Sequence, residues 1–133
     1  MRFTRYLYEV GDVKNSLIMS ILKNKIDETL FWTGELYYSG LNAEVWHLLF
    51  TIYYEFYYVT NARMETQLLK LKKKDNIFTF AKSLCTLNRQ TTFVFELNKL
   101  TELDDIDVNY IYTTITGTIP NLKRSVEREH IKN

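Results

Sequence analysis

Apolar residues recur along this chain at three- and four-residue intervals, the period of helices that bury one face. Val13, Leu17, Ile18, Ile21 and Leu22 form such a face, and Asp12 carries a side-chain oxygen suited to an N-cap. The spacing predicts a helix over 13–23. The stretch 3–8 before it places Phe3, Tyr6 and Leu7 on one side and reads as a further helical piece. Asp27 opens a second predicted helix, 28–39, which ends at Gly40, a natural left-handed C-cap. Its inward positions are Leu30, Phe31, Gly34, Tyr37 and Tyr38. Gly34 costs about 1 kcal/mol relative to alanine inside a helix. That cost predicts close approach of a neighbouring helix there.

Asn42 caps a third predicted helix, 43–60, in the most aromatic part of the chain. Both tryptophans and most tyrosines lie between Leu30 and Val59. A wheel drawn at ~100° per residue gives two apolar stripes. Val45, Leu48, Leu49, Ile52, Phe56 and Val59 form one. Trp46, Phe50, Tyr53 and Tyr57 form the second. His47, Thr51 and Glu55 form a polar stripe, flanked by Tyr54 and Tyr58. A helix so widely apolar is either packed on two sides or offers one stripe to another chain. What covers the second stripe is therefore the central question.

Helical spacing continues over 63–73, where Met64, Leu68 and Leu71 make a narrow apolar edge. It resumes after Asp75 over 77–88, with Ile77, Phe80, Ala81, Leu84 and Leu87 inward. Segment 91–100 is read as helix, although Thr91–Leu97 has the β-branched and aromatic content of a strand, with 113–119 as a weak candidate partner. A short helix is expected over 107–114, and Pro120 suits the first turn of a last one, 121–131. The expected fold class is mostly α. It is a single-domain helical bundle or short helical array spanning 1–133, of about six to seven helices, with minor β at 91–97 as the alternative.

Composition supports that reading. The chain has 133 residues, 46% hydrophobic and 15% aromatic, with one proline and four glycines. So few turn residues disfavour a many-stranded sandwich. The net charge of +1 provides no global attraction for nucleic acid or acidic membranes. The single cysteine, Cys85, precludes an internal disulfide, suits a reducing intracellular setting and reads as a packed core thiol. Glu9, Gly11 and Asp12 interrupt the N-terminal apolar run before it reaches the length of a secretory signal. The longest apolar stretch, 45–59, is interrupted by His47, Thr51 and Glu55 and falls short of the ~20 residues of a membrane span.

Candidate chemistry is sparse. The glycine-rich phosphate loops, H-E-x-x-H and C-x-x-C do not occur. His47 and Glu55 lie two helical turns apart, roughly 12 Å along the axis, too far for a direct proton relay. Glu102, Asp104, Asp105 and Asp107 cluster as oxygen ligands would, without the glycine and terminal glutamate of a calcium loop. No catalytic residue, metal, cofactor or small-molecule substrate is inferred.

Residues Ile26-Asp27-Glu28-Thr29-Leu30-Phe31-Trp32, Glu35-Leu36-Tyr37-Tyr38-Ser39-Gly40 and Val45-Trp46-His47-Leu48-Leu49 resemble the C-terminal helical domain of clamp-loader-like replication and recombination ATPases. In that domain a helix ends at a glycine and the next packs back on it. The resemblance covers residues 26–59 and implies two adjacent packed helices. The ATPase core motifs are missing from this chain, so nucleotide hydrolysis is not implied. Abundant Ile, Asn, Lys and Tyr with little Ala also resemble proteins of large DNA viruses.

Two functions are weighed. The first is a non-enzymatic helical protein–protein interaction or assembly module, a structural component of a large DNA virus. It would act in the host cytoplasm or nucleus or in the virion, contacting a protein partner or a second copy. Its expected contact residues are Trp46, Phe50, Tyr53, Tyr54, Tyr57 and Tyr58, because aromatic side chains are enriched among interface anchors. The alternative is a nucleic-acid-binding accessory factor in replication or repair, using Arg63, Lys70, Lys72, Lys73 and Lys74.

Overall fold

A computed structural model describes residues 2–88, 106–107 and 110–111. The expectations for 91–100, 113–119 and 121–131 lie outside those residues, as does most of 107–114. Among the described residues the fold is all-α. Helices α1 (Val10–Leu22), α2 (Ile26–Tyr37), α3 (Asn42–Ile52), α4 (Met64–Lys73) and α5 (Ile77–Thr86) follow one another through short turns. A π-helical turn, Tyr53–Tyr57, extends α3.

The first helix starts earlier than the sequence predicts. Glu9, not Asp12, is its N-cap, and the Glu9 side chain accepts the Asp12 backbone N–H at 3.1 Å. The predicted inner face, Val13, Leu17, Ile18, Ile21 and Leu22, is buried. α2 differs more. Phe31 and Tyr38 are exposed, while Thr29, Thr33, Gly34, Glu35 and Leu36 are buried. The reason is steric and polar. α2 makes the most extensive helix contacts, against both α1 and α5, and small side chains let it approach both. A buried hydroxyl chain joins the three helices. Cys85 Sγ donates to Thr29 Oγ1 at 3.3 Å, Thr29 donates to Ser20 Oγ at 2.9 Å, and Ser20 donates to the Leu17 carbonyl at 2.8 Å. Each polar group in it is satisfied, so its burial carries no orphan penalty. Burial also raises the Cys85 thiol pKa, which suits a core position.

Gly34 does lie where another helix crosses, but its nearest neighbour is a ring, not a backbone. A Cβ added there would sit 3.4 Å from Cε1 of Phe78 in α5. Gly40 has φ +82, the left-handed conformation expected of it. α3 starts with Leu41 as N-cap, so Asn42 lies inside its first turn. At Tyr53 the helix widens: the Tyr58 N–H bonds to the Tyr53 carbonyl five residues back, at 2.9 Å. The wider turn carries Tyr53, Phe56 and Tyr57 inward together and leaves Tyr58 outside. The α-period wheel places these four residues in the same way, but it also places Val59 on the inner stripe, and Val59 is exposed.

Asp75 was expected to begin the fifth helix. Instead it occupies a left-handed turn position, φ +56, ahead of N-cap Asn76. Its carboxylate accepts hydrogen bonds from the Tyr37 hydroxyl and, at 2.9 Å, from Trp46 Nε1. One loop residue thus ties the α4–α5 turn to α2 and α3. The Tyr37 bond, first, and the Trp46 bond hold the Asp75 pKa below the ordinary carboxylate value. Further along, Ile111 is fully buried, and Asp107 accepts the Tyr110 N–H through its side chain and the Ile111 N–H through its carbonyl.

Candidate functional site

The second aromatic stripe is covered by the chain itself. Trp46, Tyr53 and Tyr57 are buried, Phe50 and Tyr54 are half-buried, and Tyr58 is exposed. Phe80 of α5 does much of the covering. Its ring meets Trp46 edge-on, with centroids 5.3 Å apart, and Phe50 at 4.7 Å. The buried hydroxyls find partners within the fold. Tyr53 donates to the Asn61 carbonyl at 2.6 Å, and Tyr57 to the Ile21 carbonyl at 3.4 Å. Tyr54 donates to Glu65 at 2.5 Å. That bond, aided by burial, pushes the Tyr54 phenol up to about 12. Of the six expected contact residues, Tyr58 presents the most open ring.

Exposed apolar surface gathers elsewhere. The segment 3–8, expected to be helical, lies in a tight loop, 3–9, closed by an antiparallel bridge between Phe3 and Glu9. The Thr4 N–H bonds to the Tyr8 carbonyl at 2.8 Å, the Leu7 N–H to the Thr4 carbonyl at 2.9 Å, and the Tyr8 N–H to Thr4 Oγ1 at 3.1 Å. These bonds hold Leu7 at φ +68, a conformation costing a non-glycine residue about 1–2 kcal/mol. The outcome is outward display: Phe3, Tyr6, Leu7 and Tyr8 are all exposed, and Leu7 retains 78% of its accessible surface.

Long-range contacts fasten this loop to α2 and α3. Glu35, 2% exposed, accepts the Tyr6 N–H at 3.3 Å and pairs with Arg5 Nε at 3.6 Å. Ser39 Oγ accepts the Arg5 N–H at 2.9 Å. Arg2 grips Glu44 through two bonds of 2.7 and 3.0 Å, and Lys14 Nζ reaches the same carboxylate at 2.9 Å. The Arg2 bonds, and then Lys14, lower the Glu44 pKa to about 2 against an opposing burial effect. Tyr8 packs edge-on against Phe31 at 6.2 Å and Trp32 at 5.2 Å. The Arg5 guanidinium lies 4.7 Å from the Tyr6 ring centre and 5.1 Å from that of Tyr38. Loop and α2 together form one aromatic face. Sequence spacing missed it because Glu35, Ser39, Phe31 and Trp32 are distant along the chain. The available signal was Glu9, an acid three residues before Asp12, marking where the helix starts.

The basic residues split by direction. Arg63, Lys70, Lys72, Lys73 and Lys74 are all exposed. Arg63, Lys70 and Lys74 line one open groove of ≈ 420 Å³ with Thr66, Gln67 and Leu71. Lys72 turns to the other side, its Nζ 5.5 Å from the Trp46 ring. On α3, Thr51 donates back to the His47 carbonyl at 2.8 Å, a bond within the helix. Among the described residues no group of three or more His, Cys, Asp or Glu is placed to hold a metal ion, and no helix is long and apolar enough to cross a membrane. Glu102, Asp104 and Asp105 lie outside the described residues. Compared with protein-family models, with curated proteins and with solved structures, the chain shows no match.

Proposed function

We propose that this chain is a non-enzymatic helical assembly module, a structural part of a large DNA virus, that pairs with a second copy of itself through the aromatic face of loop 3–9 and α2. The carrying observation is that Phe3, Tyr6, Leu7, Tyr8, Phe31 and Tyr38 are exposed on elements tied together by buried Glu35. Large apolar patches are uncommon on proteins that act alone. The loop is held by backbone bonds, so little ordering entropy is lost when it docks. Three ion pairs within the chain lie on these elements or bind them to α3: Arg2 with Glu44, Arg5 with Glu35 and Lys25 with Glu28. A face so neutralised does not repel its own copy, which favours an isologous contact. The groups best suited to chemistry serve the fold instead, Glu35 in holding the loop, Asp75 in tying the α4–α5 turn, and Cys85 within the core. The viral setting rests on residue usage alone.

Sedimentation velocity from micromolar to near-millimolar protein tests the reading. The mass should rise with concentration, and Tyr6→Ser with Leu7→Ser should return it to monomer without changing the circular dichroism. A monomer at every concentration overturns the proposal.

A further inference from the structure

Three cations and an amide form a row along the outer face of α4. Arg63, Gln67, Lys70 and Lys74 stand at i, i+4, i+7 and i+11, which the helical step gathers within about 60° of arc. From Arg63 to Lys74 the row is roughly 16 Å long. Thr66 and Leu71 complete the groove, and among the described residues no carboxylate lines it. The acids nearest in sequence are turned away. Glu65 accepts the Tyr54 hydroxyl, and Asp75 accepts Tyr37 and Trp46. The fold thus commits these two carboxylates to partners away from this face. The C-terminal carbonyls of α4 carry roughly half a negative charge, which Lys70, Lys73 and Lys74 together outweigh.

We propose that this groove binds the phosphate backbone of nucleic acid without reading its sequence. A guanidinium, two ammonium groups, a hydroxyl and an amide are the donors that serve phosphate oxygens. A straight, rigid row matches a polymer whose charges recur at regular intervals. Among the described residues Leu71 is the one apolar lining residue, and none of the lining residues carries an aromatic ring on which a base would stack. Contact is therefore to the backbone. This site is separate from the aromatic face, so each proposal stands or falls alone.

Salt dependence measures the contact. Three neutralised phosphates give a log–log slope of about −2.7 on duplex DNA and about −2.1 on a single strand. Between 50 and 200 mM salt, those slopes correspond to weakening of about 40-fold and about 18-fold. The experiment is fluorescence anisotropy of the full chain with a labelled duplex of about 20 base pairs and with oligo-dT of about the same length. Lys70→Gln should reduce the duplex slope by about 0.9, and Lys70→Glu with Lys74→Glu should abolish binding. Lys23→Gln, on α1, should leave the slope unchanged. Circular dichroism confirms that these exposed substitutions leave the helices intact. Absence of binding to both probes at low salt overturns the proposal, as does a slope that Lys70→Gln leaves unaltered. Equally tight binding of poly-glutamate also overturns it, by reassigning the groove to acidic protein segments.

Discussion

Replacing Phe80 with alanine tests whether the aromatic stripe of α3 is this chain's own core. The Phe80 ring is fully buried between α3 and α5, edge-on to Trp46 and against Phe50. Removing a buried phenylalanine side chain costs about 3–5 kcal/mol, because transfer energy is lost and a cavity remains. Each ring–ring contact contributes about 0.5–1.5 kcal/mol within such totals. With two ring partners and no exposed surface, Phe80→Ala should lose about 4 kcal/mol, a large part of the 5–15 kcal/mol typical of a whole domain. Phe80→Leu keeps most of the volume and should lose about 1–1.5 kcal/mol. Urea unfolding followed by tryptophan fluorescence measures both, and the Trp46 environment should change in Phe80→Ala. A double-mutant cycle of Phe50→Leu with Phe80→Leu should return a coupling of about 0.5–1.5 kcal/mol. A loss below about 1 kcal/mol for Phe80→Ala, with unchanged emission, would refute the reasoning, since a core ring cannot be deleted so cheaply.

Two glycines should respond in opposite directions. Gly34→Ala gains up to about 1 kcal/mol of helix propensity and meets Phe78 at ordinary contact distance, so its melting temperature should rise. Gly40→Ala forces a Cβ into a left-handed position and should lose about 1 kcal/mol; equal shifts in the two variants would contradict this. For Glu44, the folded-state pKa lies below the ordinary value, so its contribution is present above pH 4.5 and disappears as pH falls toward about 2. The Glu44 side chain is 36% exposed, so solvent screening limits the contribution to about 1 kcal/mol. Melting curves of Glu44→Gln and the natural chain should differ at neutral pH and converge across that acid window. A gap that persists at the lowest pH would show that the ion pair is not its source.

Spacing alone determined much of this protein. The inner faces of α1 and α5, the turn at Gly40 and the basic run after Arg63 can all be read from residues within one or two helical turns, where the 3.6-residue period decides which side a residue faces. Tertiary structure decided the rest. Phe31 and Tyr38 satisfy the period on α2 as well as Thr29 and Leu36 do, but α1 and α5 close in on the smaller side chains and leave the rings outside. Loop 3–9 closes through its own backbone bonds, but its place against α2 is set by Glu35 and Ser39, partners about thirty residues away that no local pattern specifies. The π-turn breaks the period on which the wheel of the third helix relies. Whether Trp46 and Phe50 formed a core or a surface depended on Phe80 arriving from another helix. The basic run showed that cations were present, whereas tertiary packing decided that Arg63, Lys70 and Lys74 share one groove while Lys72 turns to Trp46. Local periodicity chooses a helix and its faces, and long-range packing chooses which of two similar faces is buried.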